Sequence, residues 1–150
     1  MANSDITLAN VNEYVGQEIG LTDWLDIDQM QVNIFGEVTR WPTWMHNDRD
    51  RAARESPYGG TIIHGFFLVS LVTYFVRTGG VNPIDGSYSL NYGMDRVRIL
   101  KPVVIGEGIR VRDRITSVSY THLRAPETEA EIVCRLLLEK KKGGGGGGGG

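Results

Sequence analysis

Two histidines stand where acid–base chemistry could be done. His46 closes the stretch RWPTWMH, residues 40–46, and His64 is followed by Gly65 in GGTIIHGFF. An imidazole moves protons near neutral pH, and a positioned carboxylate usually completes the pair. No carboxylate precedes His46 within this stretch, where Arg40, Trp41 and Pro42 stand instead. Indole carries an N–H donor but no accessible basic site, so Trp41 cannot replace a carboxylate. Its bulk is expected to crowd a pocket beside His46. Asp48 heads a polar segment and reads as a helix cap rather than a surrogate base, and Glu37 reads as a solvated helix residue. His46 alone is therefore either half of an acid–base pair or a histidine bonded to its own loop. His64 and Gly65 lie near the first turn of an apolar helix, where free N–H groups and the positive dipole end can meet a developing oxyanion. A satisfied core histidine and a packing glycine are the alternatives. Ser70 and Thr73 follow on the same helix, facing a cleft or bonded back to helix carbonyls.

The elements that must position these groups can be read from period and punctuation. DQMQVNIFGEV predicts a helix: Asp28 and Gln31 form a capping-box pattern, and Ile27 can staple the first turn. Met30, Ile34 and Val38 recur at four-residue spacing and predict its buried stripe. Gly36 weakens the interior, and Pro42 rules out continuation beyond about Trp41. NDRDRAARES predicts a short helix capped by Asn47 or Asp48 and stopped at Ser56-Pro57. From Ile62 to Val76 almost no polar face remains, which predicts a core helix wrapped by other structure. TGGVNPIDG is turn chemistry. SLNYGMDRVRIL and EGIRVRDRITSV alternate as half-buried strands do. One buried helix followed by antiparallel strands predicts an α+β domain with a sheet curled around the helix.

Composition narrows the function. The chain has 150 residues, 41% hydrophobic and 23% charged, with net charge −2, which suits a globular domain with a real core. Near-neutral charge leaves no basic stripe to neutralise phosphates, so nucleic acid is not an expected partner. The start, MANSDITLANVNEYV, has no basic region and no apolar run. The apolar stretch around residues 61–76 is interrupted by His64 and too short to span a membrane. The single cysteine, Cys134, excludes a disulfide framework within the chain and fits a reducing cytoplasm.

The C-terminal sequence is of a different character. VSYTHLRAPETEAEIVCRLLLEKKK resembles the read-through translation of a transposase-type sequencing adapter, its index and the flow-cell primer, with Pro126 and Ile132 as departures. The polyglycine that follows reads as homopolymer, or more blandly as a flexible linker. The expected organisation is thus a truncated domain over residues 1–117 and a non-native tail over 118–150. His122 and Cys134 then lose functional weight. The tail from Ser117 holds five of the 16 basic and four of the 18 acidic side chains, leaving 11 and 14, a net −3. The absence of a nucleic-acid signature stands either way.

A longer pattern adds to these readings. The run WMHNDRDRAARESPYGGTIIHGFFLVSLV, with NYGMDRVRILKPVVIGEGIRVR after it, resembles the MaoC-type hotdog dehydratases, in the nodulation protein N-like branch. The order H-x-D, then SP-[FY]-GG-TI-x-HG, is far more specific than a lone motif, and the resemblance covers residues 5 to about 117. It implies a hotdog fold whose last two strands should follow residue 117, where the tail now stands. It implies (R)-specific hydration of a trans-2-enoyl-CoA, or the reverse dehydration, in a cytoplasmic homodimer with no metal and no organic cofactor. In that pattern His46 matches the catalytic histidine, Trp41 falls on the aspartate of an Asp-x4-His dyad, and Arg40 on the glycine before it. The Gly65 amide would be the oxyanion donor, with His64, Ser70 and Thr73 toward the substrate. Arg96, Arg98 and Lys101 could meet the phosphates of coenzyme A, or simply be solvated. With the expected aspartate absent, activity is uncertain. Two other classes stay open: a catalytically silent acyl-CoA-binding or dimer-partner module, and a hotdog thioesterase.

Overall fold

The computed structural model describes residues 5–79, 82–86, 88–122 and 128–141; the side chains of 121–131 and 133, His122 included, lie outside that description. Contacts divide the chain into two compact units.

The first unit comprises Met1–Asp23, Val72–Gly93 and Arg110–Glu139. It holds a 3-10 turn at Val11–Tyr14, strand β1 at Glu18–Leu21, helix α5 at Val72–Gly79 and most of strands β2, Gly108–His122, and β3, Thr128–Lys141. The sheet order is β1-β2-β3. β1 runs antiparallel to β2 with Glu18 opposite Arg114 and Gly20 opposite Asp113, the register slipping between them. Ile6, Val11, Ile19 and Ile115 form its buried cluster, with Ile132 and Cys134 packed partly against it. The alternation read in EGIRVRDRITSV is real: Val111, Asp113 and Ile115 face inward, as a period of two requires. Arg110 and Arg112 face outward and pair with Glu139, and Arg112 also with Glu18, at 2.7–2.9 Å. Such partly exposed pairs contribute about 0–1 kcal/mol each. The inward Asp113 is the anomaly, a carboxylate on the apolar face.

The second unit comprises Trp24–Leu71, Met94–Ile109 and Lys140–Gly150. It holds α1, Gln29–Val38, α2, Trp44–Asn47, α3, Arg49–Glu55, and α4, Gly65–Ser70. α1 begins with the expected capping box: the Gln31 N–H donates to Asp28 Oδ1 at 2.8 Å and the Asp28 N–H to Gln31 Oε1 at 2.9 Å. Asp48 caps α3 by accepting from the Arg51 N–H at 2.9 Å, which settles its role as a cap. Segment 61–63 is strapped on one side to 103–105, through Ile63 N–H to Val103 O at 2.8 Å and Ile105 N–H to Thr61 O at 2.9 Å.

Three expectations are corrected. The stripe Met30, Ile34 and Val38 is exposed, and α1 buries Val32 and Gly36 instead. Gly36 is the contact point: a Cβ there would lie 3.0 Å from Asn47 Oδ1 and 3.3 Å from Pro42 Cα, so α1 approaches α2 by its smallest residue. The core helix is two helices, broken at Leu71, and Phe66 is 78% exposed. Near the break the Ser70 hydroxyl donates to Phe67 O at 2.7 Å, competing for a helix carbonyl. Finally, Ser89–Leu100 forms no strand and its side chains are exposed. Alternation gives a segment the means to pair; it does not supply the neighbouring strand.

Candidate active site

The loop after α1 decides where His46 sits. α1 ends in a Schellman motif: Trp41 N–H donates to Gly36 O at 2.8 Å and Arg40 N–H to Glu37 O at 3.1 Å. This turn needs a left-handed residue just past the cap, and Arg40 supplies it at φ 57°. Glycine takes that conformation freely, whereas a residue with a Cβ is disfavoured by about 1 kcal/mol. Arg40→Gly alone is therefore expected to stabilise the fold by about 1 kcal/mol, read as a raised midpoint in urea; an unchanged or lower midpoint would refute the strain.

α2 then carries His46 into a polar lattice. Gln29 Nε2 donates to His46 O at 2.6 Å and to Asn33 Oδ1 at 2.9 Å. Asn47 Nδ2 donates to Asn33 Oδ1 at 3.0 Å, and the Thr61 hydroxyl to Gln29 Oε1 at 2.5 Å. Gln29, Asn33, Asn47 and Thr61 were not among the predicted site residues. The signal for them was present, since Gln29 and Asn33 are four apart and must share a face. On the far side, Ile62 N–H donates to Met45 O at 3.0 Å.

His46 Nδ1 lies 2.7 Å from Ile62 O. A carbonyl only accepts, so Nδ1 carries the proton and the neutral ring keeps its lone pair on Nε2. His64 stacks on His46 with centroids 3.7 Å apart and 24° between planes. His64 is 5% exposed. Its Nε2 lies 3.4 Å from Trp41 O, which places the proton on Nε2, and its Nδ1 is buried without a hydrogen-bond partner among the described residues. Burial, with the neighbouring His46, lowers the His64 pKa against the opposing pull of the Trp41 carbonyl. His64 is thus held neutral at pH 7. His64 is buried but not satisfied among the described residues.

Both rings line a cleft of about 440 Å3 together with Phe35, Thr39, Trp41, Gly65 and Phe66. Phe35 in turn stacks on Phe67 at 4.9 Å. Trp41 is itself one of the residues lining the cleft and is 65% exposed. Gly65 opens α4, where a first-turn N–H has no partner within the helix. The side where its Cβ would project is occupied by Ile99, the two being too close to coexist. Among the other predicted residues, Ser70 is bonded back to its own helix, and Thr73 lies exposed on α5 in the other unit. Arg96, Arg98 and Lys101 are exposed. The Cys134 thiol is pushed up to about 11 by burial and by the charge of Asp113, which makes it a poor nucleophile. Among the described residues no cluster of His, Cys, Asp or Glu could hold a metal ion, and no helix is long and apolar enough to cross a membrane.

The cleft with its two histidines thus lies on an α+β scaffold. The chain matches the family described as MaoC like domain over residues 10–130, and it belongs to that family. It is 39% identical over 108 residues, 72% of this chain and 67% of the other, to nodulation protein N of Rhizobium leguminosarum bv. viciae. It is 32% identical over 113 residues, 75% of this chain and 73% of the other, to 3-hydroxyacyl-thioester dehydratase Z of Mycobacterium tuberculosis. The crystal structure of the MaoC-like dehydratase from Rhodospirillum rubrum superposes with TM-score 0.65 at 16% identity, covering 87% of this chain and 84% of that one. The fold is the hotdog fold of those dehydratases, as the pattern around His46 and His64 implied.

Proposed function

We propose that the chain is an (R)-specific hydro-lyase of acyl-CoA thioesters, interconverting a trans-2-enoyl and a 3-hydroxyacyl chain, and that it is slow. The observation that carries this is His46, whose Nδ1–H is pinned to Ile62 O at 2.7 Å so that Nε2 is left as a base in the cleft. In hydration, His46 Nε2 takes a proton from water as the oxygen bonds to C3, and the C2–C3 π pair moves to the thioester oxygen. The resulting enolate takes a proton at C2 from the His46 imidazolium, so one water is added and the base is restored. The Gly65 N–H is the donor assigned to the enolate oxygen. Exposed Arg96, Arg98 and Lys101 are the cations assigned to the phosphates of coenzyme A. The dehydratase named among the relatives supports the reaction class. The exposed apolar side chains Met30, Ile34 and Val38, on one stripe of α1, offer area for the partner of a cytoplasmic homodimer.

With Trp41 standing where the resemblance places a carboxylate, one acid–base group is missing, which costs about 10²- to 10⁴-fold. Loss of the conjugated thioester absorbance of crotonyl-CoA should therefore run measurably above the uncatalysed rate, but by that factor below a relative retaining the dyad. A folded protein that binds acyl-CoA yet leaves the absorbance unchanged would replace this reading with the silent binding module, which Trp41 in place of a carboxylate favours. Release of free coenzyme A would replace it with the thioesterase.

A further inference from the structure

We infer that Gln29 is a positioning residue of this site: its side-chain amide clamps the turn that carries His46 to the strap that carries Ile62, and so keeps the His46 proton on Nδ1. The inference rests on the hydro-lyase reading and deepens it, since that reading needs the base on Nε2. The bond from His46 Nδ1–H to Ile62 O joins two separate segments, and its 2.7 Å holds only while both stay in place. α2, which carries His46, is four residues long, buries no side chain and has no side-chain cap at Thr43. A single turn of helix does not hold its own position in water. The strap 61–63 is fixed on its other side by residues 103–105. Gln29 joins the two. Its Nε2 donates to His46 O at 2.6 Å, and its Oε1 accepts from the hydroxyl of Thr61, the residue before Ile62, at 2.5 Å. Both atoms belong to one planar amide, so rigid covalent geometry sets the spacing between the segments. The amide also has one orientation here. A main-chain carbonyl only accepts, so the NH2 end faces His46 O, and its other hydrogen goes to Asn33 Oδ1 at 2.9 Å. Gln29 is the first residue of α1, directly after Asp28 and its capping box, so the clamp stands on a capped helix end.

Three substitutions separate this role from one in stability alone. Gln29→Met keeps the length of the side chain and removes the amide. Thr61→Val keeps the shape and removes the hydroxyl, whereas Thr61→Ser retains it. In nitrogen-15 spectra at alkaline pH, where imidazoles are neutral, the unsubstituted chain and Thr61→Ser should show the His46 proton on Nδ1. In Gln29→Met and Thr61→Val a share of that proton should move to Nε2. With it, kcat for crotonyl-CoA hydration should fall about 2- to 10-fold with KM little changed, the effect of one lost hydrogen bond. A role in stability alone lowers the urea midpoint and leaves the proton of the folded protein where it was. Folded Gln29→Met with that reading overturns the inference, and if Gln29→Met does not fold, Thr61→Val decides in the same way. A moved proton with the parent kcat also overturns the positioning role. Absence of any hydration by the unsubstituted chain removes the hydro-lyase reading, and the proton position in the same variants still decides whether Gln29 is the clamp.

Discussion

Arg40→Gly with Trp41→Asp should raise crotonyl-CoA hydration by about 10²- to 10⁴-fold, the range associated with one positioned acid–base group. Three features favour so large a gain from two substitutions. The left-handed Arg40 is where glycine is relaxed, so the first change relieves strain. The Trp41 side chain is mostly in solvent, so shortening it opens no core cavity. The hydrogen bonds that shape the loop use the main chain of residues 36, 37, 40 and 41 and survive both changes. The gain should appear in kcat more than in KM, since the restored group acts on the reacting atoms. A folded double variant that still hydrates at the parent rate would sink the assignment of position 41 and strengthen the silent module.

Asp113→Asn should stabilise the fold at pH 7.5 by about 3 kcal/mol, with the advantage vanishing near pH 4. Asp113 is 0% exposed and, among the described residues, neither of its oxygens has a hydrogen-bond partner. Burial pushes its carboxyl from 3.8 up to about 6. The folded state therefore holds this proton more tightly than the unfolded chain does. The cost of burying the charge is fully present above about pH 6, declines as the pH falls, and is gone once the unfolded chain is protonated too, below about 3.8. Urea midpoints of both proteins at pH 7.5, 6, 5 and 4 read the difference directly. A constant difference across that range would show that Asp113 keeps its ordinary acidity.

The same residue bears on the tail. Cys134, on β3, is the group whose acidity the Asp113 charge suppresses, and it offers that carboxylate no hydrogen bond. Leu137 and Leu138 are adjacent and both exposed, so this segment lacks the strict alternation of a half-buried strand. We propose that the native sequence departs from this one near residue 118, although the family match runs on to residue 130, and that a native strand satisfies Asp113. Resequencing the source gene through codon 116 and beyond decides it, and finding the tail in genomic DNA would end the proposal.

How much could be read in advance follows from where the information lies. The capping box of α1, the Asp48 cap and the alternation of β2 are local, and each rests on residues at most a few positions apart. The exposed stripe of Met30, Ile34 and Val38 was misread because periodicity marks an apolar face without saying which face meets a neighbour. Gly36 held that answer, but a glycine inside a helix reads as a weakness until the opposing atoms are seen. In the same way, Arg40 concealed the left-handed turn that a glycine would have announced. His46 and His64 were found by residue type and motif. Their stacking, the bare Nδ1 and the lattice from Gln29 depend on distances across 16 to 32 residues of chain, which no local pattern encodes.

The bond between His64 and the carbonyl of residue 41 belongs to the peptide chain and not to tryptophan. Mutation can change every side chain at that position without touching it. A lineage can therefore discard an acidic group here and recover it by a few base changes while the imidazole opposite keeps its tether and its tautomer. Loss of this kind is reversible on an evolutionary timescale, because the scaffold of the site outlasts the group that made it fast.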